Sequence, residues 1–331
     1  MPDRKKDHIE LAFSSQTGVN ELDDRFYYEP LTSAHPGPEE SMNTRFLGKD
    51  LKAPIWVSSM TGGTKEAYHI NRNLARACAE FGMGMGLGSC RMLLENDKHF
   101  EDFNVRDIIG PGLPLYANLG INQVEILLKN KETDNINELV HKLRADGLII
   151  HVNPMQEAFQ PEGEKLGQPA IETIAKLVDI VDYNIIVKEV GQGMGPESLK
   201  QLLKLPLAAI EFAAFGGTNF AKVELQRASE LEQKLYKPFA RIGHDAAQMV
   251  NYINEQIEII NIVNCRSVII SGGIRSYLDG YYLINKVKLP AIYGQASPFL
   301  QYARGDYETL REYVKYQIKG LKLAEAFLKV R

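Results

Sequence analysis

The sequence predicts a (β/α)8 barrel with an N-terminal extension and an insertion between the sixth and seventh strands. Eight short apolar runs recur along the chain, and helical patterns separate them. Most runs are continuously apolar, which is typical of parallel strands buried on both faces. The 331 residues exceed the ~250 that such a barrel takes. No Gly-x-Gly-x-x-Gly follows the first run, which disfavours a doubly wound open sheet.

The predicted elements alternate in the order that the barrel requires. The eight strands are expected at residues 54–60, 84–88, 115–120, 147–153, 184–190, 207–213, 267–273 and 290–296. Helical patterns lie between them, for example at residues 71–81, 136–145, 171–181, 196–205 and 246–260. The long interval 216–266 contains the expected insertion.

A single domain with three parts is expected. Residues 1–53 form an N-terminal extension that supplies substrate-binding residues, and residues 54–305 form the barrel that binds the cofactor. Residues 306–331 form a helix that packs on the barrel, since apolar side chains recur at helical spacing between 307 and 330.

Composition limits the functional classes. The formal net charge of −4 gives no general reason to expect nucleic acid or an anionic membrane as a partner. Three cysteines, far apart and odd in number, argue against a disulfide framework or zinc cluster and favour a cytoplasmic protein. The first residues lack the apolar run of a signal peptide or membrane anchor, so neither is expected.

Polar residues or glycines follow all eight predicted strands. These strand ends are Ser59 to Gly63, Gly88 to Arg91, Asn118, His151 to Glu157, Lys188 and Glu189, Gly216 to Thr218, Ser271 to Arg275, and Gln295 with Ala296. Barrel enzymes carry their chemistry at the C-terminal ends of the strands, so this ring predicts an active site. The loops after the seventh and eighth strands are the usual phosphate site of barrels, although a glycine pair alone also suits a tight turn.

Two strand ends contain side chains that are costly to bury without partners. Lys188 needs an anion or an electron-rich group such as a flavin, and its pairing with Glu189 is disfavoured because adjacent strand residues face opposite sides. The stretch 151–157 reads His-Val-Asn-Pro-Met-Gln-Glu. Taken singly, its polar residues could be a core histidine, a helix cap and helix-start residues.

A set of motifs extends in order over nearly the whole chain. They are Arg4-Lys5-x-x-His8, Met60-Thr61-Gly62-Gly63, Gly88-Ser89-x-Arg91, Ala117-Asn118-Leu119-Gly120, His151-Val152-Asn153-x-x-Gln156-Glu157, Val187-Lys188-Glu189-Val190-Gly191, Gly216-Gly217-Thr218 and Ser271-Gly272-Gly273. Together they resemble the type 2, FMN-dependent isopentenyl-diphosphate isomerases.

That resemblance implies a redox-neutral interconversion of isopentenyl and dimethylallyl diphosphate. Reduced FMN would do the acid and base work, NADPH would reduce it, and Mg²⁺ would bind the diphosphate. A homo-oligomer, either a tetramer or an octamer, is also implied.

Residue roles follow from the matching positions. Gln156 and His151 are the expected catalytic residues, and Glu157 is the expected Mg²⁺ ligand. The substrate set is Arg4, Lys5, His8, Ser89, Arg91, His151, Asn153 and Gln156. The FMN set is Met60, Thr61, Gly62, Ser89, Asn118, Lys188, Thr218, Gly272, Gly273 and Ala296, together with Arg275 and Gln295 of the same strand ends.

Two other hypotheses stay open. One is an FMN oxidoreductase of the α-hydroxy-acid or dihydroorotate type, which shares the barrel and the cofactor. The other is a flavin- or phosphate-binding barrel without turnover, for which the departure from the family pattern at residues 274–290 is the main support.

Overall fold

The computed structural model describes residues 4–37 and 40–331. The strands are β1 (Phe26–Tyr28), β2 (Thr44–Phe46), β3 (Lys49–Leu51), β4 (Ile55–Val57), β5 (Gly84–Gly86), β6 (Leu115–Gly120), β7 (Gly147–His151), β8 (Asn184–Lys188), β9 (Ala209–Glu211), β10 (Val268–Ser271), β11 (Ala291–Gln295) and β12 (Leu328–Val330).

The helices connect these strands. They are α1 (Arg4–Leu11), α2 (Lys65–Phe81), α3 (Phe100–Phe103), α4 (Arg106–Ile109), α5 (Ile121–Asn130), α6 (Thr133–Lys142), α7 (Pro154–Phe159), α8 (Ala170–Ile180), α9 (Pro196–Lys204), α10 (Phe220–Arg227), α11 (Glu230–Tyr236), α12 (Ala246–Ile259), α13 (Tyr277–Lys286), α14 (Ser297–Ala303) and α15 (Tyr307–Phe327). Short 3-10 helices cover Val19–Glu21, Arg91–Leu94 and Phe239–Arg241.

Strands β4 to β11 form a closed parallel barrel, which confirms the predicted fold. The barrel closes where β11 pairs with β4, with Tyr293 opposite Ile55 and Gln295 opposite Val57. Every residue of β4, β5, β6, β9 and β10 is buried. The continuously apolar runs therefore correspond to strands that are covered on both faces, as the sequence predicted.

Side chains that point into the barrel pack in layers. The apolar layer contains Trp56, Tyr116, Ile149, Ile186, Ala209, Ile269 and Ile292. Alternation along a strand places the residue two positions later on the same face. A second layer therefore lies one step nearer the C-terminal ends, and we call it the polar layer: Ser58, Asn118, His151, Lys188, Glu211, Ser271 and Gly294.

The hairpin β2–β3 closes the N-terminal end of the barrel. Its Phe46 and Leu51 belong to the same apolar cluster as Trp56. Lys49 of the hairpin binds Asp146, with 2.5 Å between Nζ and Oδ1. Arg106 of α4 reaches the other carboxylate oxygen at 2.8 Å, and the Leu115 N–H donates to that same oxygen at 2.9 Å. One carboxylate thus joins the hairpin, α4 and β6.

The helices agree with the sequence prediction except in three places. Helix α6 lies at Thr133–Lys142, three residues earlier than the predicted 136–145. Helix α2 begins at Lys65 rather than at 71, because the Thr64 side chain accepts from the Ala67 N–H and caps the helix. Helix α15 ends at Phe327, and the last residues form β12, in which Val330 pairs antiparallel with Phe26 of β1. The helical pattern expected up to 330 therefore ends three residues early, because the backbone there joins a two-stranded sheet.

The expected insertion consists of α10, α11 and the adjoining 3-10 helix. It packs on α7, where Phe159 stacks on Tyr236 with 5.5 Å between ring centroids and approaches Phe239 at 5.9 Å. This contact places the insertion beside the strand end that follows β7.

Asp146→Asn should lower the free energy of unfolding by ~3 kcal/mol, because it leaves Lys49 and Arg106 without their counter-charge in a largely buried position. Urea unfolding at neutral pH measures the change. Asp107→Asn is the matched control, since Asp107 pairs with Arg144 at the exposed surface, and its effect should be much smaller than that of Asp146→Asn. Equal effects of the two substitutions would contradict the role given to Asp146.

Candidate active site at the barrel mouth

A cavity of about 300 Å³ opens at the C-terminal ends of the strands. A smaller one of about 130 Å³ adjoins it and shares Ser59, Met60, Lys188, Val190 and Phe220 with it. Many of the predicted site residues line the two cavities: Met60, Ser89, Asn118, His151, Gln156, Lys188, Thr218, Gly272, Gly273, Arg275, Gln295 and Ala296. The structure therefore brings residues from all eight strand ends to one place.

Two glycine-rich loops meet on one side of the larger cavity. Gly272 and Gly273 have φ values of +84° and +73°, and a Cβ on Gly272 would lie 2.2 Å from the backbone N and O of Ala214. Gly216 has φ +113° and approaches Gly273 closely. A side chain is excluded from these positions, so the cavity wall here is bare backbone of the kind that accommodates anions.

The Gln295 side chain supports this cavity wall through two hydrogen bonds. Its Nε2 donates to the carbonyl of Ile274 at 3.1 Å, and its Oε1 accepts from the Tyr313 hydroxyl at 2.7 Å. The side chain therefore connects the loop after β10 to the C-terminal helix α15. In the sequence Tyr313 was visible only as part of an apolar helical stripe.

Lys188 is buried in the wall of both cavities, with 6% of its surface exposed. Its Nζ donates to the backbone carbonyl of Glu189 at 2.9 Å. The Glu189 carboxylate instead accepts the N–H groups of Gly191, Gln192 and Gly193. The two side chains therefore bind different backbone groups and not each other, as the sequence led us to expect. The Glu189 carboxylate stabilises the turn after β8.

His151 is a neutral member of the polar layer. Burial, assisted by the charge on Lys188, lowers its pKa from 6.5 to about 3. Its Nδ1 lies 2.8 Å from the Asn118 Oδ1, and because an amide oxygen only accepts, Nδ1 carries the proton. The Asn118 Nδ2 in turn donates to the Leu87 carbonyl at 3.0 Å. His151 therefore acts as an oriented hydrogen-bonding group rather than as a cation.

The polar residues after β7 bind one another. Asn153 Nδ2 donates to Gln156 Oε1 at 3.1 Å and to Glu157 Oε1 at 2.9 Å, whereas the Asn153 side chain does not cap α7. Gln156 Nε2 donates to Glu224 Oε1 at 3.3 Å. Glu224 is buried and also pairs with Arg227. Its position on a helix of the insertion carried no signal in the sequence.

The segment 160–164 after α7 joins two predicted site residues. The Glu164 N–H donates to Glu157 Oε2 at 2.8 Å, and the Glu164 carboxylate binds the Arg91 guanidinium at 2.8 Å. Gln123 donates to the other Glu164 oxygen at 3.2 Å. Arg91 itself stays at the rim, with 47% of its side chain exposed. Glu164 was missed because acidic residues in a loop are usually solvated.

Some predicted residues lie outside the cavity linings. Arg4, Lys5 and His8 are on α1, where every residue is exposed, and none of the three lines either cavity. Thr61 and Gly62 lie beside it, and a Cβ on Gly62 would clash with the Phe103 ring. Arg91, Asn153 and Glu157 do not line the cavities either. The hydrogen bonds described above connect them to Gln156, which lines the smaller cavity.

Two kinds of feature are absent from the described residues. Within residues 4–37 and 40–331, no three histidine, cysteine or acidic residues are grouped to hold a metal ion. In the same part of the chain, no helix has the length and apolarity needed to cross a membrane.

Fold and site together define a parallel (β/α)8 barrel protein whose mouth holds a polar, glycine-walled cavity. Solved structures share the fold: a flavocytochrome b2 mutant with benzoylformate has a TM-score of 0.62 at 15% identity, over 92% of this chain and 75% of the other. A mandelate oxidase with 2-hydroxy-phenylacetamide has a TM-score of 0.54 at 13% identity, over 91% of this chain and 81% of the other. At such identities the likeness concerns the fold alone.

Sequence relatives are far more similar. An isopentenyl-diphosphate delta-isomerase of Rickettsia felis is 35% identical over 332 residues, which cover 97% of this chain and 91% of the relative. The isopentenyl-diphosphate delta-isomerase of Rickettsia prowazekii is 32% identical over 97% of this chain and 92% of its own length. No family model matches the chain. The chain belongs to the isopentenyl-diphosphate delta-isomerase family, which confirms the resemblance seen in its motifs.

Acidification should destabilise the fold through His151. Because its folded pKa of about 3 lies below the unfolded value of 6.5, only the unfolded chain takes up a proton between these values, so stability falls as pH falls. His151→Gln should flatten the dependence of unfolding free energy on pH between 6.5 and 4 by up to ~1 kcal/mol per pH unit. Urea unfolding at several pH values measures it, with exposed His8→Gln as control. An unchanged slope in His151→Gln would refute the assignment.

Proposed function

We propose that this chain interconverts isopentenyl diphosphate and dimethylallyl diphosphate, with FMN in the mouth cavity and Mg²⁺ on the diphosphate. The observation that carries the proposal is the convergence of Asn118, His151, Gln156 and Lys188 on one cavity in a member of this family. A neutral histidine, an oriented amide and a buried cation suit proton transfer next to a negatively charged cofactor better than hydride removal from a hydroxy acid.

The cavity residues fit a flavin mononucleotide. The bare backbone at Gly216, Gly272 and Gly273 suits its phosphate, because positive φ at these glycines leaves space for an anion beside backbone N–H groups. The Ser58 and Ser59 hydroxyls are buried without a hydrogen-bond partner among the described residues, so a polar ligand edge would satisfy them. Lys188 supplies positive charge for the reduced form.

FMN, once reduced by NADPH, would supply the acid and base groups that add a proton at one substrate carbon and remove one from its neighbour. The chain's own residues would orient the substrate against it. Gln156 lines the smaller cavity and is held from two sides by Asn153 and Glu224, which supports a place for it next to the reacting carbons. His151 would donate or accept a hydrogen bond without changing its charge.

The diphosphate would bind at the rim above this point. Arg91 is half-exposed and uses one guanidinium nitrogen for Glu164, which leaves part of its fork for phosphate oxygens. Arg4, Lys5 and His8 would add positive charge when α1 moves onto the mouth. Such closure would also exclude water from the cavity.

Glu157 fits a magnesium site with a single protein ligand. Its two carboxylate oxygens are fixed by Asn153 and Glu164 yet retain free lone pairs. Mg²⁺ keeps several waters and commonly binds through one or two carboxylates plus substrate phosphates. A single protein carboxylate beside the diphosphate site is therefore sufficient.

We also propose a cytoplasmic homo-oligomer, either a tetramer or an octamer. Exposed apolar side chains on the insertion, including Leu231, Leu235 and Ile242, support an interface there. Light scattering after size-exclusion chromatography gives the number of subunits.

The decisive experiment uses purified protein with FMN, NADPH and Mg²⁺ without oxygen. Dimethylallyl diphosphate should form from isopentenyl diphosphate without stoichiometric loss of NADPH. Flavin reoxidation coupled to another substrate, with no such product, would instead identify an oxidoreductase. Uptake of FMN with no turnover would indicate the non-catalytic alternative, and absence of FMN uptake would refute every flavin-based hypothesis.

Glu157→Gln should reduce turnover at least roughly tenfold and raise the Mg²⁺ concentration needed for half-maximal rate, because a neutral amide binds the ion more weakly. Initial rates over a Mg²⁺ titration measure both quantities. The matched control is Glu172→Gln, an exposed glutamate at the start of α8. Unchanged Mg²⁺ dependence in Glu157→Gln would overturn the metal assignment.

Arg4→Gln and Lys5→Gln should each raise KM for isopentenyl diphosphate about tenfold, the size of one lost charge-assisted hydrogen bond. FMN affinity should stay at the wild-type value, because α1 lies outside the cavity. Steady-state kinetics and flavin fluorescence separate the two effects. Lys6→Gln is the control, since Lys6 faces Glu10 on the same helix. A KM effect as large for Lys6→Gln would exclude specific contacts by the other two.

A further inference from the structure

A carboxylate lies beneath the floor of the larger cavity. Glu211, the last residue of β9, belongs to the polar layer and has 0% of its surface exposed. Its Oε1 accepts from the Ser271 hydroxyl at 3.2 Å, and that hydroxyl in turn accepts the Ala213 N–H at 2.9 Å. The Glu211 Oε2 has no hydrogen-bond partner among the described residues. Such a group is costly to bury unless a charge compensates it.

Lys188 is the positive group beside it. The parallel pairing of β8 with β9 sets Lys188 directly opposite Glu211, and both side chains point into the barrel. The Lys188 ammonium donates to a backbone carbonyl, which carries no charge, and the Glu189 carboxylate is used by the N–H groups of its own turn. Glu211 is therefore the carboxylate that faces Lys188 across the strand pair, and the attraction between them acts over more than the 4.0 Å of a direct ion pair.

Only small side chains separate Glu211 from the cavity. Ser58, Ser271 and Gly294 line the cavity floor. A Cβ on Gly294 would lie 2.7 Å from Ser58 Oγ and 3.0 Å from Ser271 Cβ, so these three positions are in close contact. Because Ser271 both lines this floor and donates to Glu211, only one side chain lies between a ligand on the floor and the carboxylate.

Two opposing effects act on the charge of Glu211. Burial is the larger effect and raises the pKa of its carboxyl group, while the positive charge of Lys188 opposes that rise. The geometry favours the ionised form, because a neutral Glu211 would leave Lys188 as an uncompensated buried cation.

We infer that Glu211 is the buried counter-charge of Lys188 and a positioning residue of the cofactor site, where it moderates the preference of that site for reduced over oxidised FMN. The inference rests on the proposed function, because it takes FMN as the occupant of the cavity. Two electrons and one proton convert oxidised FMN to its reduced anion, so a negative charge beneath the floor opposes reduction while Lys188 favours it.

The test is Glu211→Gln, which removes the charge and keeps an oxygen that can accept from Ser271. The variant, loaded with FMN, should bind reduced FMN more tightly relative to oxidised FMN, on the order of tenfold, since one charge several ångströms away acts at an effective dielectric constant of ~20. A reductive titration that gives the midpoint potential measures this ratio as a positive shift. An unchanged or negative shift overturns the inference.

Glu125→Gln is the matched control. Glu125 is also buried and also paired with a lysine, Lys129, but it lines neither cavity. Its midpoint potential should equal that of the wild type. A shift as large as that of Glu211→Gln would show a general effect of removing buried carboxylates, and would overturn the inference.

A stability measurement tests the counter-charge without the cofactor. Lys188→Met should lower Tm, because Glu211 is then buried without its partner, and Lys188→Met combined with Glu211→Gln should recover much of that loss. A double variant no more stable than Lys188→Met would overturn the pairing. If the wild-type protein takes up no FMN, the proposed function and the redox role both fail, while this comparison still decides the pairing.

Discussion

The parallel pairing of β11 with β4 is the constraint on which the rest of the molecule depends. It closes eight strands into a ring, so that all their C-terminal ends lie at one mouth. Closure also makes the inward-facing side chains stack in layers. The apolar layer fills the barrel, and the next residue inward on each strand is polar or glycine. Side chains far apart in the chain, such as Ser58 and Glu211, become neighbours for this reason alone.

Charge compensation then determines how the mouth is arranged. Lys188 lies beside Glu211 inside the barrel, whereas at the rim Arg91 is held by Glu164. The segment 160–164 links the two halves of the rim: Glu162 binds Arg227, which binds the Glu224 that orients Gln156. Each group in this chain has an opposite charge or a hydrogen-bond partner. A diphosphate and a metal ion would therefore enter a mouth whose polar groups are already oriented.

Much of the fold and a large share of the candidate site could be predicted. Features that depend on one short segment were predicted correctly. Examples are the eight strands, which follow from their apolar runs, and the turn glycines at 272 and 273. Local signals were insufficient for Glu224, on a helix of the insertion, and for Glu164, in a surface loop. Glu211 was overlooked although it lies two residues after Ala209 of the apolar layer. Strand periodicity applied to every strand would have placed it in the polar layer.

By itself, the sequence determined the closed barrel, the family and the ring of polar strand ends. Each of these follows from short periodic patterns or contiguous motifs, which need no information about distant parts of the chain. Tertiary structure alone decided which polar groups are partners. The neutral state of His151 follows from its burial beside Lys188, and the orientation of Gln156 follows from a contact with Glu224, 68 residues away. Burial and charge pairing depend on distances across the barrel, and those distances exist only once the strands have closed.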